Sequence, residues 1–327
     1  MNPEVAEAIP TLVERGVLRA EDGAVQLRVA RGELLSVRGE LRALWWLGVT
    51  LVMAGVGVLI AEKAQQLGPL VITLGLTVAA AGCLAWVIHR GPPFSWGQGE
   101  SEAVAFDYVL LLGASLLASD LAYVEFRFKP LGVGWPWHLL VGSLVMAGLA
   151  VRYDSRLLFS LALSTFAAWR GVTASTFVSF AWFTTSAATV RTNAIGCGVL
   201  FVGLGMLLQR VNRKAHFEPV AAHLGWSLVL GAMTQGAIAS SRSAADWLPW
   251  SLALLATAAG LAALAWRNRR FTLLLLAVLA LYVAISRIVL VPVDDEKLAV
   301  AYFLVSGALT VIALLTAHRV LRRSGDA

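Results

Sequence analysis

The feature that most constrains the fold is a series of apolar runs, each long enough to cross a membrane. A transmembrane helix needs about 20 mostly apolar residues. Ten segments meet that requirement: residues 43–62, 67–88, 107–126, 132–151, 156–171, 193–209, 218–239, 248–266, 271–292 and 298–317. Because the short alternating strands typical of membrane barrels are missing from this pattern, the sequence predicts an all-α, polytopic transmembrane helix bundle of about ten spans, preceded by a short cytoplasmic N-terminal helical segment.

Composition independently places the chain in a membrane. Of the 327 residues, 58% are hydrophobic and only 14% are charged, and the mean hydropathy is +0.75. A soluble domain with so few charges could not cover its own surface. Residues 1–42 precede the first apolar run, so we expect that run to be an uncleaved anchor and not a signal peptide.

The basic residues predict the orientation. With a cytoplasmic N-terminus and ten spans, 18 Lys and Arg residues flank the spans on the cytoplasmic side and seven on the outer side. Positive flanks are retained in the cytoplasm, so we expect a bacterial inner-membrane protein with both termini cytoplasmic. Residues 43–317 then form the bundle, and residues 318–327 form a basic tail. This topology accounts for the net charge of +6, so we expect no nucleic-acid partner.

One Ser/Thr-rich stretch, residues 173–190, is long enough to cross the membrane. Counting it as a span would remove the charge difference, so we predict that it stays on the outer side without crossing. It would be a re-entrant hairpin lining a cavity or an interfacial helix lying over the bundle. An ordinary span is the third alternative.

The N-terminal residues 1–42 suggest two helices, the first from Pro3 to Gly16 and the second from Ala20 onward. The second carries an arginine stripe beside an apolar stripe. The stripe is formed by Arg28, Arg31, Arg38 and Arg42. Such a helix lies on an anionic inner leaflet, or it packs on another subunit or on the chain's own loops. Lipid, membrane-protein partners and a homo-oligomer are therefore the expected partners.

Three segments carry a resemblance to a known family. They are LVERGVL at 12–18, LWWLGVTLVMAGVGVLIAE at 44–62 and AWRGV at 168–172. Their order resembles a large bacterial family of predicted polytopic membrane proteins, the domain of unknown function twenty-one fifty-seven, and the likeness is clearest over about the first 90 residues. The resemblance implies a multi-pass architecture and names no activity.

Polar side chains within the predicted spans are the candidate site residues. At 1.5 Å per residue, several lie in the outer half of the membrane, where a charged side chain needs a partner or water. The candidates for a ligand site or an ion pair are Asp120, Tyr123, Arg170, Arg287, His138 and Gln235. An Asp120 ion pair with Arg170 or Arg287 would be purely structural, and a cavity with Asp120 and the arginines at its wall would bind a ligand. Both arginines could instead extend to the outer interface, which Glu125 can also reach.

The catalytic motifs of membrane enzymes are missing from the sequence, which disfavours an enzyme. No phosphate loop, zinc helix or nucleophile elbow is present, and Cys83 and Cys197 lack metal spacing. We expect no cofactor and no metal. Three functions remain: transport or lipid handling through an outer polar cavity, a non-catalytic scaffold or sensor subunit, and, least favoured, an intramembrane enzyme.

Overall fold

The computed structural model describes residues 3–16, 19–30, 44, 46–58, 68–97, 104–170, 187–239, 244–291 and 295–323. Within these ranges the protein is all-helical, with no strand. The twelve helices are α1 (Pro3–Glu14), α2 (Ala20–Ala30), α3 (Trp46–Val58), α4 (Pro69–Arg90), α5 (Val104–Phe128), α6 (Pro136–Tyr153), α7 (Arg156–Trp169), α8 (Ala187–Val211), α9 (Glu218–Ala239), α10 (Ala244–Arg267), α11 (Phe271–Leu290) and α12 (Glu296–Arg323). The all-α fold class is confirmed.

Six of these helices are long and apolar enough to cross a membrane: α4, α5, α8, α10, α11 and α12. Helices α3 and α7 are apolar but shorter. Each of the ten predicted spans overlaps one of the helices α3 to α12. The chain therefore has the architecture of a polytopic membrane protein, and the number of about ten crossings stays a prediction.

Two segments that were predicted not to cross the membrane overlap helices. The predicted non-spanning segment 173–190 ends inside α8, which begins at Ala187, while residues 171–186 lie outside the described ranges. The predicted tail 318–327 also begins inside a helix, because α12 continues to Arg323. In both places helical hydrogen bonding extends past the apolar run, since polar residues also form good helix termini.

The most extensive contacts between the long helices join four pairs that are adjacent in sequence: α4 with α5, α6 with α7, α8 with α9, and α10 with α11. The main core cluster includes Leu110 of α5, Leu158 of α7 and Phe201 of α8, each at most 1% exposed. A second cluster joins α9, α10 and α11 around Leu254, Ala258 and Ala277. The outward faces are apolar, as expected of surfaces in contact with lipid.

The bundle has two ends, which carry different chemistry. We call the end with the connections 91–97, 154–155, 212–217 and 268–270 the basic end, because Arg and Lys flank all of them. The opposite end holds the connection 129–135 between α5 and α6. Pro136 starts α6 there, in the first helical turn, where its missing N–H costs no hydrogen bond.

Candidate functional site

A cavity of about 670 Å³ lies at the opposite end, between α5, α6 and α7. Its lining residues recur every three or four positions along α5 and α6, so one face of each helix borders it. They are Ala118, Leu121, Ala122, Glu125, Phe126, Lys129, Gly132, Trp135, His138, Leu139, Gly142, Met146 and Thr165. The wall is mostly apolar, and its charged and ionisable groups, Glu125, Lys129 and His138, come from the α5–α6 turn and the helix ends beside it.

Glu125 and His138 form the polar part of the wall. The His138 Nε2 atom lies 2.9 Å from a Glu125 carboxylate oxygen, and the Leu131 backbone N–H donates to the same oxygen at 3.2 Å. Glu125 is 9% exposed. The carboxylate thus fixes the connection between α5 and α6 and holds the imidazole beside the cavity. Although Glu125 is near enough to the end of the helix to reach the headgroups, its carboxylate turns inward to these two groups.

Helix α7 forms the remaining wall of the cavity, and a hydrogen bond holds it against α6. The Ser143 hydroxyl donates to the Ala162 carbonyl at 3.0 Å, which joins the two helices. The neighbouring Gly142 faces the cavity, and a Cβ atom added there would have no atom within 4 Å. The absent side chain of Gly142 therefore contributes directly to the open volume.

Asp120 and Tyr123 lie on a different face of α5. The Thr77 hydroxyl of α4 donates to Asp120 Oδ2 at 2.7 Å, while Asp120 Oδ1 is buried and has no hydrogen-bond partner among the described residues. Tyr123 packs against Ile72 and Leu76 of α4. Both residues therefore face α4 and not the cavity. At 100° per residue, Asp120 and Glu125 are separated by about 140° around the helix, which explains why only Glu125 borders the cavity.

The predicted arginine partners of Asp120 have other contacts. Arg170 donates to the Asn193 side-chain oxygen at 2.9 Å and lies over the Trp169 ring, 5.5 Å from its centroid. Arg287 lies 5.8 Å from the centroid of the Trp247 ring. Among the described residues, no ion pair joins Asp120 to either arginine. The structure places α4, and not α7 or α11, against the Asp120 face of α5.

Gln235 is at the opposite end but on α9, away from the cavity. It is 7% exposed and accepts a hydrogen bond from Arg191 at 3.1 Å. Of the six predicted ligand candidates, only His138 lines the cavity. Of the arginine stripe, Arg28 is exposed at the end of α2, and Arg31, Arg38 and Arg42 lie outside the described residues.

A buried ionic cluster that the sequence did not predict lies at the basic end. The Lys214 amine lies 2.6 Å from Asp154 Oδ1, and only 2% of the Lys214 side chain is exposed. His216 Nε2 lies 3.1 Å from the same oxygen, without hydrogen-bond geometry, so this contact is chiefly electrostatic. The ring of Phe94 lies 5.0 Å from the Lys214 amine. The three polar residues belong to two loops 60 positions apart, and their spacing gave no signal.

No metal-binding group of three or more His, Cys, Asp or Glu side chains occurs in the described ranges. Cys83 and Cys197 are free thiols within α4 and α8. His223 contacts the Pro219 carbonyl of its own helix and the Thr272 hydroxyl of α11.

Comparison with protein-family models, with curated proteins and with solved structures found no match. The resemblance to the domain of unknown function twenty-one fifty-seven therefore stays a prediction.

Proposed function

We propose that this membrane protein binds an amphipathic small molecule or lipid in the cavity between α5, α6 and α7, and that it transports or otherwise handles that molecule. The observation that carries the proposal is the combination of an apolar wall with a polar mouth in one cavity of about 670 Å³. That volume lies within the usual range for small-molecule sites, and such sites place a few polar groups in a mainly apolar wall.

Charge and position support an amphipathic ligand over a purely polar one. The lining of the cavity includes apolar side chains such as Leu121, Leu139 and Met146, which would accommodate a hydrocarbon segment. Lys129 and His138 stand beside the connection at the opposite end, where a polar headgroup would remain near water. The charge asymmetry of the sequence predicts that this end lies in the outer half of the membrane.

The decisive experiment fills the cavity from Gly142. A Gly142→Leu variant places four carbon atoms in the open space, and Gly148→Leu is its matched control. Gly148 is an exposed glycine of the same helix, with no atom within 4 Å of an added Cβ. Each protein is purified in detergent, exchanged into a defined mixture of phosphatidylethanolamine and phosphatidylglycerol, delipidated and examined by native mass spectrometry.

We expect wild type and Gly148→Leu to retain a lipid that resists delipidation, and Gly142→Leu to lose it. Equal retention by all three folded proteins would remove the support for a lipid in this cavity. His138→Gln adds a second measurement, because it keeps the cavity volume but changes the polar mouth. This variant should change the headgroup composition of the retained lipid, while the total amount of retained lipid should change less.

The scaffold alternative has one observation in its favour. Helices α1 and α2 pack against each other, and an added Cβ at Gly23 of α2 would lie 2.4 Å from a methyl group of Val13 in α1. Such a helical hairpin could hold a partner protein. Lipid retention that is independent of Gly142, together with loss of a copurifying protein after deletion of residues 3–30, would favour this function.

A further inference from the structure

A second group of polar side chains lies at the opposite end, away from the cavity. Helices α8, α10 and α11 each contribute to it. We call these side chains the donor cluster, formed by Arg191 of α8, Trp247 and Ser251 of α10, and Arg287 of α11. Every member carries at least one N–H or O–H donor, and the cluster contains no carboxylate.

Two neighbouring indole rings of α10 bring the arginines to one turn of that helix. The Arg191 guanidinium carbon lies 5.1 Å from the centroid of the Trp250 ring. The guanidinium carbon of Arg287 lies 5.8 Å from the centroid of the Trp247 ring. Residues three apart on a helix are neighbours on its surface. Both guanidinium groups therefore lie beside the same segment of α10.

The donors in this cluster are buried and unsatisfied. Arg191 Nε, Arg287 Nε, Trp247 Nε1 and Ser251 Oγ have almost no exposed surface, and none of them has a hydrogen-bond partner among the residues that the structure describes. Trp247 is 7% exposed and Ser251 is 0% exposed. Folded proteins pair nearly all buried polar groups. Four buried donors in one region indicate that an acceptor binds among them.

The charge of the cluster indicates which acceptor. The ion pairs of the described residues include neither Arg191 nor Arg287. Within the described part of the chain, the Arg191 guanidinium donates a hydrogen bond to the neutral side-chain amide of Gln235. Uncompensated cations within a membrane bundle are costly, and they mark ligand or ion pathways.

We propose that an oxyanion binds between α8, α10 and α11, with Arg191 and Arg287 supplying the charge and Trp247 and Ser251 supplying neutral donors. The planar guanidinium fork suits phosphate and carboxylate oxygens, because two parallel N–H groups can donate to them together. The phosphate of an anionic lipid headgroup and a soluble anion such as inorganic phosphate share this chemistry. The site is independent of the α5–α7 cavity, since it uses none of the same residues.

The test measures thermal unfolding of the full-length protein in nanodiscs. One arm uses phosphatidylcholine nanodiscs titrated with inorganic phosphate, against chloride at matched ionic strength to control for screening. The other arm replaces part of the phosphatidylcholine by phosphatidylglycerol and adds no phosphate. Stabilisation in the first arm identifies a soluble anion, and stabilisation in the second arm alone identifies a lipid headgroup.

Arg191→Gln and Arg287→Gln should each raise the stabilising concentration of anion about tenfold, because each removes a charged hydrogen-bond donor. Arg210→Gln is the matched control on α8, since Arg210 is exposed at the basic end. Trp247→Phe keeps the ring and removes only the N–H, so it tests the site if an arginine variant does not fold. It should weaken anion stabilisation severalfold.

Three results would overturn the proposal, the last of them concerning Asp246→Asn. The first is that neither phosphate nor phosphatidylglycerol stabilises wild type beyond the chloride control. The second is that Arg210→Gln weakens the effect as much as Arg191→Gln, since that would make the binding non-specific. Asp246→Asn is included because that carboxyl group precedes Trp247 in the sequence. If this variant has unchanged anion stabilisation, the proposed site is supported, and if it binds anion markedly more tightly, Asp246 and not a ligand supplies the counter-charge.

Discussion

Among single residues, Lys214 has the most unusual environment for its type. Its side chain is 2% exposed, its backbone is left-handed with φ 51°, and its N–H donates to the Trp96 carbonyl at 3.0 Å. A buried ammonium group is stable only with a close counter-charge, which Asp154 supplies. Through its backbone and its side chain together, Lys214 thus links the connections before α5, before α7 and before α9 at the basic end.

Removing the charge of Asp154 should strand the Lys214 ammonium group. We expect Asp154→Asn to lower the free energy of unfolding by about 3 kcal/mol, because breaking a buried pair leaves one charge uncompensated. Asn tolerates the left-handed backbone at this position, where φ is 58°. Adding Lys214→Met should recover more than half of the loss in detergent unfolding measurements. Lys297→Met, at an exposed lysine, is the control, and an additive double mutant would contradict the coupling.

His216 gives the same cluster a defined pH dependence. Burial lowers the pKa of His216 below its ordinary value; Asp154 opposes this shift, while Arg156 and Lys214 act in the same direction as burial. The unfolded chain therefore binds the proton more tightly than the folded chain. Stability is then complete above the ordinary histidine pKa of about 6.5 and falls as the pH drops toward the lower folded-state pKa.

The measurement compares unfolding temperatures of wild type and His216→Asn at about pH 7.5 and about pH 5.5, on either side of the ordinary histidine pKa. Wild type should lose more stability over this interval, because only its buried imidazole must be protonated. The carboxylates contribute equally to both proteins and cancel in the comparison. Identical losses would show that His216 takes no part in the acid response.

At the scale of elements, the contact between α8 and α9 depends on two facing glycines. A Cβ atom at Gly198 would lie 2.6 Å from the Gly225 carbonyl oxygen, and one at Gly225 would lie 2.7 Å from the Gly198 carbonyl oxygen. Small residues let helices approach this closely in membranes, where packing is a main source of helix association. The two backbones therefore touch, and no larger residue fits at either position.

Gly198→Ala should force α8 and α9 apart, at a cost of about 1–3 kcal/mol, the usual range for overpacking. Gly196→Ala is the matched control on the same helix, because a Cβ there meets nothing within 4 Å. That change should be neutral or slightly stabilising, since Ala favours the helix. The comparison is made by thermal unfolding in one detergent, and equal unfolding temperatures would contradict close packing at Gly198.

At the scale of the whole molecule, the open prediction is the topology. Basic residues collect at one end of the bundle, at the connections 154–155, 212–217 and 268–270. Positive flanks stay in the cytoplasm, so the basic end should face inward. The cavity of α5, α6 and α7 and the donor cluster would then both open toward the outside.

Cysteine labelling of intact cells tests this orientation. Cys83 and Cys197 are first replaced by Ala, and single cysteines are introduced as Asn212→Cys, Asn268→Cys and Leu131→Cys. An impermeant maleimide should label only Leu131→Cys, which lies in the exposed α5–α6 connection. After the membrane is permeabilised, the other two positions should react as well. External labelling at position 212 or 268 would refute the topology.

The positions of the helices followed from the sequence because an apolar run long enough to cross a membrane is a local property. The predicted span 218–239 coincides with α9, and the start of α7 at Arg156 and of α11 at Phe271 was also predicted. Boundaries differed where polar residues continued a helix, as at Ala187 and Arg323. The sequence also predicted which polar residues lie near the outer end of the bundle, because the position of a residue along its helix is a local property too.

Which of those polar groups meet was decided by tertiary structure. The sequence showed that Asp120 and Glu125 lie on different faces of α5, but not which face each neighbouring helix covers. Packing places α4 against Asp120 and α6 against Glu125, so the cavity contains the Glu125–His138 pair and not the predicted Asp120 ion pair. Likewise, Lys214 reaches Asp154 across 60 positions. Hydrophobic length determines where a helix runs, whereas its rotation and its neighbours depend on contacts between segments far apart in the chain.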